Sequence, residues 1–248
     1  MEKSDDSSMI AQNLNYILQR IGETATRYGI KNHPRLVAVS KTKPKEMVVA
    51  CYEQGQRHFG ENYSQELEEK SSQLLSTCPD IKWHFIGHIQ SNKVKKLCKI
   101  PSLWCVETLD SQKYMDLFQK AVEEEGRPPL NVFIQVNTSG EANKGGVEME
   151  NAPTLAKYVI EKCPNLHLLG LMTIGALDES ANREKNADFS ALVEVRRNVS
   201  EAIGRPIEDC ELSMGMTNDY ELAIQYGSTN VRVGSAIFGA RNYGTRNQ

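Results

Sequence analysis

The sequence predicts a single (β/α)8 barrel with an extra helix at its amino end. Short apolar segments typical of buried strands alternate with segments of helical periodicity. Eight such strands fit into 248 residues, close to the ~250 residues typical of these barrels. No linker or change of composition divides the chain. An open, doubly wound sheet is the alternative architecture for the same pattern.

The amino-terminal segment precedes the barrel. Residues 1–8 are polar and acidic, so we expect a disordered tail there and a barrel domain over residues 9–243. From Ile10 to Tyr28, apolar residues recur at steps of three and four positions. This spacing predicts an amphipathic helix that ends near Gly29.

Eight strands and eight further helices are predicted after this first helix. Continuous apolar runs such as that in the first strand suit parallel strands covered on both faces. The strands are predicted at Leu36–Ser40, His58–Gly60, Lys82–Ile86, Leu103–Glu107, Leu130–Asn137, His167–Ile174, Glu211–Met214 and Val231–Val233. The helices are predicted at Pro44–Gln54, Ser64–Leu75, Ser91–Cys98, Ser111–Glu125, Pro153–Glu161, Arg183–Ile203, Tyr220–Tyr226 and Ser235–Phe238.

Composition narrows the classes of function. The formal net charge is −3, from 29 Lys+Arg and 32 Asp+Glu, which disfavours a nucleic-acid binder that relies on bulk positive charge. The six cysteines include no C-x-x-C pair and the five histidines do not cluster, so neither a metal site nor a disulfide framework is predicted. Without a signal peptide or a membrane-spanning apolar run, we expect a cytoplasmic protein, and a monomer.

A lysine stands at the end of the first predicted strand, where barrels place their active sites. Lys41 follows the strand directly, and Pro44 suits the first turn of the helix that comes next. A lysine in this position serves either as a cation for phosphate or as an amine that forms a Schiff base with a carbonyl. A solvated loop lysine is the plainer alternative.

The turns after the seventh and eighth strands predict a phosphate site, because barrels often bind phosphate there. Ser213 and Gly215 occupy the first turn, and Gly234 and Ser235 occupy the second. The glycines allow close backbone approach, the serines offer hydroxyls, and the helix start exposes N–H groups. A lysine opposite a phosphate site predicts pyridoxal 5′-phosphate (PLP), whose aldehyde reacts with an amine.

Six segments at the strand ends together resemble the pyridoxal phosphate homeostasis proteins. The resemblance runs from about Arg35 to Arg241. It implies a barrel similar to the amino-terminal domain of alanine racemase. It also implies a protein that binds PLP, has no established reaction, and buffers, carries or protects the cofactor inside cells. The six segments are Val39–Pro44, Phe59–Tyr63, Trp83–Gly87, Gly170–Gly175, Leu212–Met216 and Val231–Gly239.

The resemblance also implies roles for individual residues. Lys41 would form the Schiff base, Arg232 would face the pyridine nitrogen, and Asn62 would lie near the ring. Thr217 stands where the family commonly has serine and keeps the hydroxyl. The residues implied for the phosphate are Ser213, Gly215, Gly234 and Ser235.

Structural alternatives apply to several of these residues. From the pattern alone, Arg232 is equally well explained as a barrel-interior arginine bonded to a carboxylate, and His84 as a hydrogen-bonded structural histidine. Lys144 is better explained as a solvated loop residue than as part of the site.

Two functions stay open at this point: a PLP-binding protein without turnover, and a small PLP-dependent amino-acid racemase or lyase. A racemase needs a second acid–base group on the face opposite the lysine. In alanine racemase that group is a tyrosine from another domain and the partner subunit, whereas this chain ends at Gln248, soon after the eighth strand. We therefore favour the binding protein, with amino acids and PLP-dependent apo-enzymes as candidate partners and with no catalytic or metal-binding residue assigned.

Overall fold

Eight parallel strands form a closed barrel. The computed structural model describes residues 2–141, 144–176 and 185–240, and only the backbone of residues 2–5. Each strand pairs with its neighbours in chain order, and the pairing of the last strand with the first closes the ring. The barrel strands are β1 (Arg35–Val39), β2 (His58–Glu61), β3 (Lys82–Phe85), β4 (Leu103–Leu109), β5 (Leu130–Asn137), β7 (Leu166–Met172), β8 (Glu211–Ser213) and β9 (Asn230–Val233).

The predicted barrel is therefore confirmed, and the open sheet is wrong because an open sheet would leave two unpaired edges. A two-residue strand, β6 (Val147–Glu148), pairs with the end of β5 outside the barrel. The sequence pattern did not predict β6, since two residues carry no periodicity.

The helices within the described residues surround the barrel. Each predicted helix is present within a few residues of its expected bounds, although the first residues expected for one of them, 183–184, lie outside the described part of the chain. The helices are α1 (Glu2–Arg27), α2 (Lys45–Glu53), α3 (Ser64–Leu74), α4 (Val94–Cys98), α5 (Gln112–Glu124), α6 (Ala152–Lys162), α7 (Ala187–Ile203), α8 (Tyr220–Gln225) and α9 (Ser235–Phe238).

The amino end differs from the expectation. Helix α1 begins at Glu2, so residues 2–8 are helical rather than a disordered tail. The end expected for the barrel domain, residue 243, lies outside the described residues.

Helix α1 packs against α2 and the two carboxyl-terminal helices α8 and α9. Ile10, Leu14, Ile17 and Ile21 are buried on its inner face, and each contributes about 1.5–3 kcal/mol by burial. Asn13 also donates to the carbonyl of Ile237 at 3.1 Å. The extra helix therefore supports the segment that follows β9.

The described residues contain no helix with the length and apolar character that a bilayer-spanning segment requires. All six cysteines are buried free thiols. Burial raises the pKa of Cys51 and Cys98 to about 12, so these two thiols stay protonated and unreactive near neutral pH.

Candidate functional site

A cavity of about 300 Å³ opens at the carboxyl end of the barrel strands. Its lining combines the ends of β1, β8 and β9, as expected for a barrel active site. Lys41 and Arg232 both face it. The other lining residues are Val39, Lys43, Ile86, Met216, Thr217, Asn218, Asp219, Gly234, Ser235 and Gly239.

The strand register explains why Lys41 lies beside the β9 turn. In β1, Ala38 pairs with Val233 on one side and with Phe59 of β2 on the other. Lys41 therefore leaves the barrel between the residues that follow β2 and those that follow β9. Its side chain is half-buried.

The backbone next to Lys41 adopts an unusual conformation. Thr42 has a φ of 62°, the only positive φ of a non-glycine residue among those described. A left-handed conformation is costly for a β-branched residue, and such strain persists only where the surroundings enforce it. The Thr42 amide donates to Oε1 of Glu66 at 2.7 Å.

A buried ionic network lies beneath this turn, and we call it the Lys70 network: Ser40, Glu61, Glu66 and Lys70. The Lys70 ammonium donates at 2.7 Å to the Ser40 carbonyl and to Oε1 of both glutamates. The Ser40 hydroxyl also donates to Glu61 at 2.6 Å. One cation is thus shared by two carboxylates below the lysine.

Glu61 is the fully buried carboxylate of this network. Burial raises its pKa to about 7, even though the charge and hydrogen bonds of Lys70 and Ser40 act in the opposite direction. Its second oxygen, Oε2, is buried without a hydrogen-bond partner. Near neutral pH, Glu61 therefore holds a proton for a large part of the time.

Arg232, on the neighbouring strand β9, also lines the cavity. It is 4% exposed, and its guanidinium donates to the Ser213 hydroxyl at 2.6 Å and to the Thr173 carbonyl at 2.7 Å. Two of its five N–H donors thus have protein partners within the described residues. The nearest carboxylate oxygen of Glu107 is 3.9 Å away.

A second buried network holds Arg232, and we call it the Glu107 network: His58, His84, Glu107, Ser213 and Arg232. His58 Nδ1 lies 2.8 Å from His84 Nε2, and His84 Nδ1 lies 2.5 Å from Glu107. The Ser213 hydroxyl donates to the other Glu107 oxygen at 2.5 Å. The network therefore runs through the barrel interior from the start of β2 to the cavity.

Protonation in the Glu107 network follows from burial and hydrogen bonding. Burial lowers the pKa of His58 to about 2 and lowers that of His84 as well. Burial alone would raise the pKa of Glu107, but the hydrogen bond and charge of His84, with Arg232 and Ser213, lower it overall. His58 and His84 are therefore neutral, and the hydrogen-bonded chain that they form leads to the charged carboxylate of Glu107.

His84, Cys105 and Glu107 also place ligand atoms within 4.8 Å of one another. The direct hydrogen bond between His84 and Glu107 already uses these ligand atoms. Burial raises the pKa of the Cys105 thiol well above its ordinary value, and metals bind the thiolate. We therefore interpret the cluster as hydrogen-bonded core, and His84 as a structural residue.

Ser213, one of the predicted phosphate residues, is absent from the cavity lining. Its side chain is fully buried, donates to Glu107 and accepts from Arg232. The hydroxyl is therefore committed to the barrel interior, below the cavity.

Gly215 and Gly234 are explained by backbone requirements. Gly215 has a φ of 94°, and a Cβ there would lie 2.5 Å from Cβ of Ala223, so the close approach of α8 requires glycine. Gly215 is absent from the cavity lining. A Cβ on Gly234 would lie 3.1 Å from the Val39 carbonyl. Unlike Gly215, Gly234 does line the cavity.

Thr217 lines the cavity with a hydroxyl group, although it was not among the predicted phosphate residues. Its Oγ1 accepts from the Gly234 amide at 3.3 Å and lies 3.3 Å from the Ser235 hydroxyl. Asp219 accepts from the Met216 amide at 2.7 Å and orders the same turn. The sequence held a signal for Thr217, since the family commonly has serine there.

Asn62 lies in a neighbouring cleft of about 480 Å³ rather than in the Lys41 cavity. Phe85 lines this cleft and the next residue, Ile86, lines the Lys41 cavity, so the β3 end separates the two. The Asn62 Oδ1 is buried without a hydrogen-bond partner in the described part of the chain. The role of Asn62 beside the ring therefore stays a prediction.

Comparison with known proteins is consistent with this geometry. The model of the alanine racemase N-terminal domain matches residues 6–242. The chain is 49% identical over 237 residues to the pyridoxal phosphate homeostasis protein of Caenorhabditis elegans, covering 95% of this chain and 97% of that protein. Proteins of the same name from Homo sapiens and Haemophilus influenzae are 48% and 43% identical, covering 85% and 95% of this chain and 78% and 98% of theirs.

Solved structures show the same barrel. PipY of Synechococcus elongatus with PLP bound has a TM-score of 0.73 and 27% identity, covering 93% of this chain and all of that one. Alanine racemase from Corynebacterium glutamicum is 14% identical with a TM-score of 0.68, covering 95% of this chain and 62% of that one, which shows the fold alone. The chain belongs to the alanine racemase N-terminal domain family and, within it, to the pyridoxal phosphate homeostasis proteins.

Proposed function

We propose that this protein binds PLP covalently through Lys41 and serves in the homeostasis of the cofactor, without turnover of its own. The single observation that carries the proposal is the cavity in which Lys41, Arg232 and the Thr217–Ser235 hydroxyl pair converge. The names of the relatives and the PLP bound to PipY support it. The cytoplasmic location and monomeric state expected from the sequence belong to the same proposal.

The residues present fit the cofactor. The cavity of about 300 Å³ lies at the lower end of the ~300–1,000 Å³ typical of small-molecule sites. It offers an amine, a guanidinium, two hydroxyls and the backbone of Gly234, which match an aldehyde, a ring nitrogen and a phosphate. When bound, PLP supplies an electrophilic carbonyl and an electron-withdrawing ring.

The phosphate would lie against the turns after β8 and β9. Thr217 and Ser235 supply hydroxyl donors and Gly234 leaves space for close approach. Ser213 acts one step away, because its hydroxyl accepts from Arg232 and so orients the guanidinium. We therefore replace Ser213 by Thr217 in the proposed phosphate set.

Arg232 supports a role without turnover. Its guanidinium only donates hydrogen bonds, so a ring nitrogen facing it has to accept, and therefore stays unprotonated. An unprotonated ring withdraws electrons less strongly than a protonated one. Arg232 thus holds the cofactor in its less reactive form. For release, the amine of an amino acid would replace the amine of Lys41 on the carbonyl carbon of the cofactor. Lys41 would then return to its amine form.

The covalent link is tested by substituting Lys41. PLP added to the wild-type protein should give visible absorbance and a borohydride-reducible adduct, and Lys41→Ala should give neither. Lys43→Ala is the matched control, because Lys43 lines the same cavity and is also half-buried. A reducible adduct that survives in Lys41→Ala would refute the assignment.

The absence of turnover is tested with single amino-acid enantiomers. The PLP-loaded protein should release cofactor to the amino acid while the chirality of the amino acid stays unchanged. Sustained racemisation that disappears in Lys41→Ala would favour the alternative, a small PLP-dependent racemase or lyase.

A further inference from the structure

Each of the two peptide groups that flank Lys41 is held by a different side chain of α3. The Ser40 carbonyl, on the amino side, accepts from the Lys70 ammonium at 2.7 Å. The Thr42 amide, on the carboxyl side, donates to the Glu66 carboxylate at 2.7 Å. Fixing the peptide planes on both sides of a Cα atom fixes the φ and ψ of that residue. The direction in which the Lys41 side chain leaves the backbone is thereby set.

Glu66 and Lys70 also restrain each other. They lie one turn apart on α3 and pair at 2.7 Å, so neither can shift without the other. Lys70 is additionally paired with the fully buried Glu61 at 2.7 Å. The two contacts to the Lys41 turn therefore come from a single rigid unit built on α3 and β2.

This unit enforces a strained conformation. Thr42 takes a left-handed φ of 62°, which an exposed threonine avoids when nothing holds it. Strain of this kind clusters at ligand-binding and active sites, where it preorganises a group. Here the strained residue is the one that directly follows Lys41.

Stability alone does not account for a cation buried between two carboxylates. The ammonium and both carboxylates lose hydration, and apolar residues of similar size often stabilise such positions at least as well. An apolar trio could not hold a carbonyl and an amide at fixed positions. The hydrogen bonds to Ser40 and Thr42 therefore give the network a role that packing cannot supply.

We propose that Glu66 and Lys70 are positioning residues that hold Lys41 in the orientation needed to link to an aldehyde ligand. This inference rests on the proposed function, since it assigns to Lys41 the covalent link. The link forms between the Lys41 nitrogen and the aldehyde carbon, and one water leaves with the aldehyde oxygen. Glu66 and Lys70 touch neither reacting atom.

The test separates covalent linkage from non-covalent binding. PLP carries the aldehyde, whereas pyridoxine 5′-phosphate carries an alcohol and binds without linking. Glu66→Ala and Lys70→Met should slow the appearance of the visible absorbance of the PLP adduct by ~10- to 100-fold, the range expected for a misplaced reacting group. The affinity for pyridoxine 5′-phosphate should stay within about twofold, since the proposed phosphate residues lie in the turns after β8 and β9, away from α3.

Two matched variants complete the experiment. Glu69→Ala removes an exposed glutamate of the same helix whose carboxylate accepts from Gln65 and makes no contact with the Lys41 turn within the described residues, and it should link PLP at the wild-type rate. Glu66→Gln keeps an oxygen that accepts from the Thr42 amide and should recover most of the rate lost in Glu66→Ala. Unchanged linkage in Glu66→Ala, or an equal loss of affinity for both ligands, would overturn the proposal.

Hydrogen exchange at the Thr42 amide gives a second readout without any ligand. Glu66→Ala should accelerate this exchange and Glu69→Ala should leave it unchanged; equal protection in all variants would overturn the positioning role. If the wild-type protein itself forms no link, the proposed function fails, and the exchange rates still decide whether Glu66 restrains the turn.

Discussion

The cavity is supported by two buried ionic networks that work in different ways. The Lys70 network holds backbone, namely the carbonyl and the amide on either side of Lys41. The Glu107 network holds a side chain, the guanidinium of Arg232, through the Ser213 hydroxyl. Of these two neighbouring strands, β1 therefore presents an amine from a fixed turn, and β9 presents a donor fixed through an intermediate hydroxyl.

The two networks also distribute charge in opposite ways. In the Lys70 network two carboxylates share one cation, and burial raises the pKa of Glu61 to about 7. In the Glu107 network a single carboxylate accepts from His84, Ser213 and Asn230, and its pKa is lowered despite burial. Glu107 is therefore a fixed charge, whereas Glu61 changes its protonation near neutral pH.

The largest expected effect is on the free energy of unfolding, and it distinguishes Glu107 from Glu61. Glu107→Gln leaves the buried Arg232 without its compensating charge, and removing one partner of a buried ion pair costs about 3–5 kcal/mol. Glu61→Gln removes a carboxyl that is already partly protonated at pH 7, so about 1–2 kcal/mol is expected, as for one altered buried hydrogen bond. Urea unfolding of both variants at pH 7 measures the difference in the free energy of unfolding.

Glu124→Gln serves as the control for this pair of variants. Its carboxylate pairs with Lys95 on the surface, where such pairs contribute only about 0–1 kcal/mol. Equal losses for Glu107→Gln and Glu61→Gln would contradict the assignment of a fixed charge to Glu107 alone.

The next largest effect concerns ligand affinity, and it distinguishes the hydroxyl of Thr217, beside the cavity, from that of Ser213, below it. Thr217→Val keeps the shape but removes a proposed phosphate donor, and a hydrogen bond to a charged group is worth about 1.5–3 kcal/mol. The variant should lose affinity for PLP much more than for unphosphorylated pyridoxal. Ser213→Ala acts through Arg232 and should weaken both ligands to the same extent. Titration of both proteins with both ligands is the measurement, and a phosphate-selective loss in Ser213→Ala would restore the original assignment.

As the pH changes, the two networks should change the free energy of unfolding in opposite directions. The folded-state pKa values of His58 and His84 are lowered, so below about pH 6.5 the unfolded chain binds protons that the folded chain does not. Stability contributed by these histidines therefore falls as pH falls. Glu61 has a raised pKa of about 7, so between about pH 4.5 and 7 the folded chain holds the extra proton. Its contribution falls as pH rises.

Glu61→Gln removes only the second of these trends. Between pH 4.5 and 6.5 its free energy of unfolding should rise with pH more steeply than that of the wild type, by about 1 kcal/mol per pH unit on average. Urea unfolding at several pH values measures both slopes. Parallel slopes would show that Glu61 has an ordinary pKa in the folded protein.

The sequence predicted the barrel because the signals for it are local. Apolar runs such as Leu36–Val39 and the three-and-four spacing of Ile10 to Ala25 each lie within a few residues. Lys41 could be singled out for the same reason, since its position after a strand needs no long-range information. The helical residues 2–8 were missed because their polar composition gave no apolar face to recognise.

The networks could not be predicted because they join residues that are far apart in the chain. Ser213 and Glu107 are 106 positions apart and Lys70 and Ser40 are 30 apart, so only the strand register brings them together. The same limit explains why the residue pattern could not place the side chains of Ser213 and Asn62. A hydroxyl after β8 can point into the barrel or into the cavity, and the residue pattern does not distinguish the two directions.

The smallest expected effect on stability concerns Thr42. This prediction tests most directly whether the Lys70 network acts by holding backbone. Glycine adopts the left-handed region freely, so Thr42→Gly removes about 1–2 kcal/mol of strain but adds about 0.5–1 kcal/mol of unfolded-state entropy. The free energy of unfolding should therefore change by less than about 1 kcal/mol. Linkage to PLP should nevertheless slow, because a glycine turn is less restricted to the one conformation that aims Lys41.

Thr42→Ala is the companion variant for this prediction. It keeps the Cβ atom and the amide that donates to Glu66, so it should link PLP at nearly the wild-type rate. Urea unfolding and the rate at which visible absorbance appears are measured on the same preparations. If Thr42→Gly links PLP as fast as Thr42→Ala, backbone restraint at the turn does not set the reactivity of Lys41, and the Lys70 and Glu107 networks would not differ in the way described.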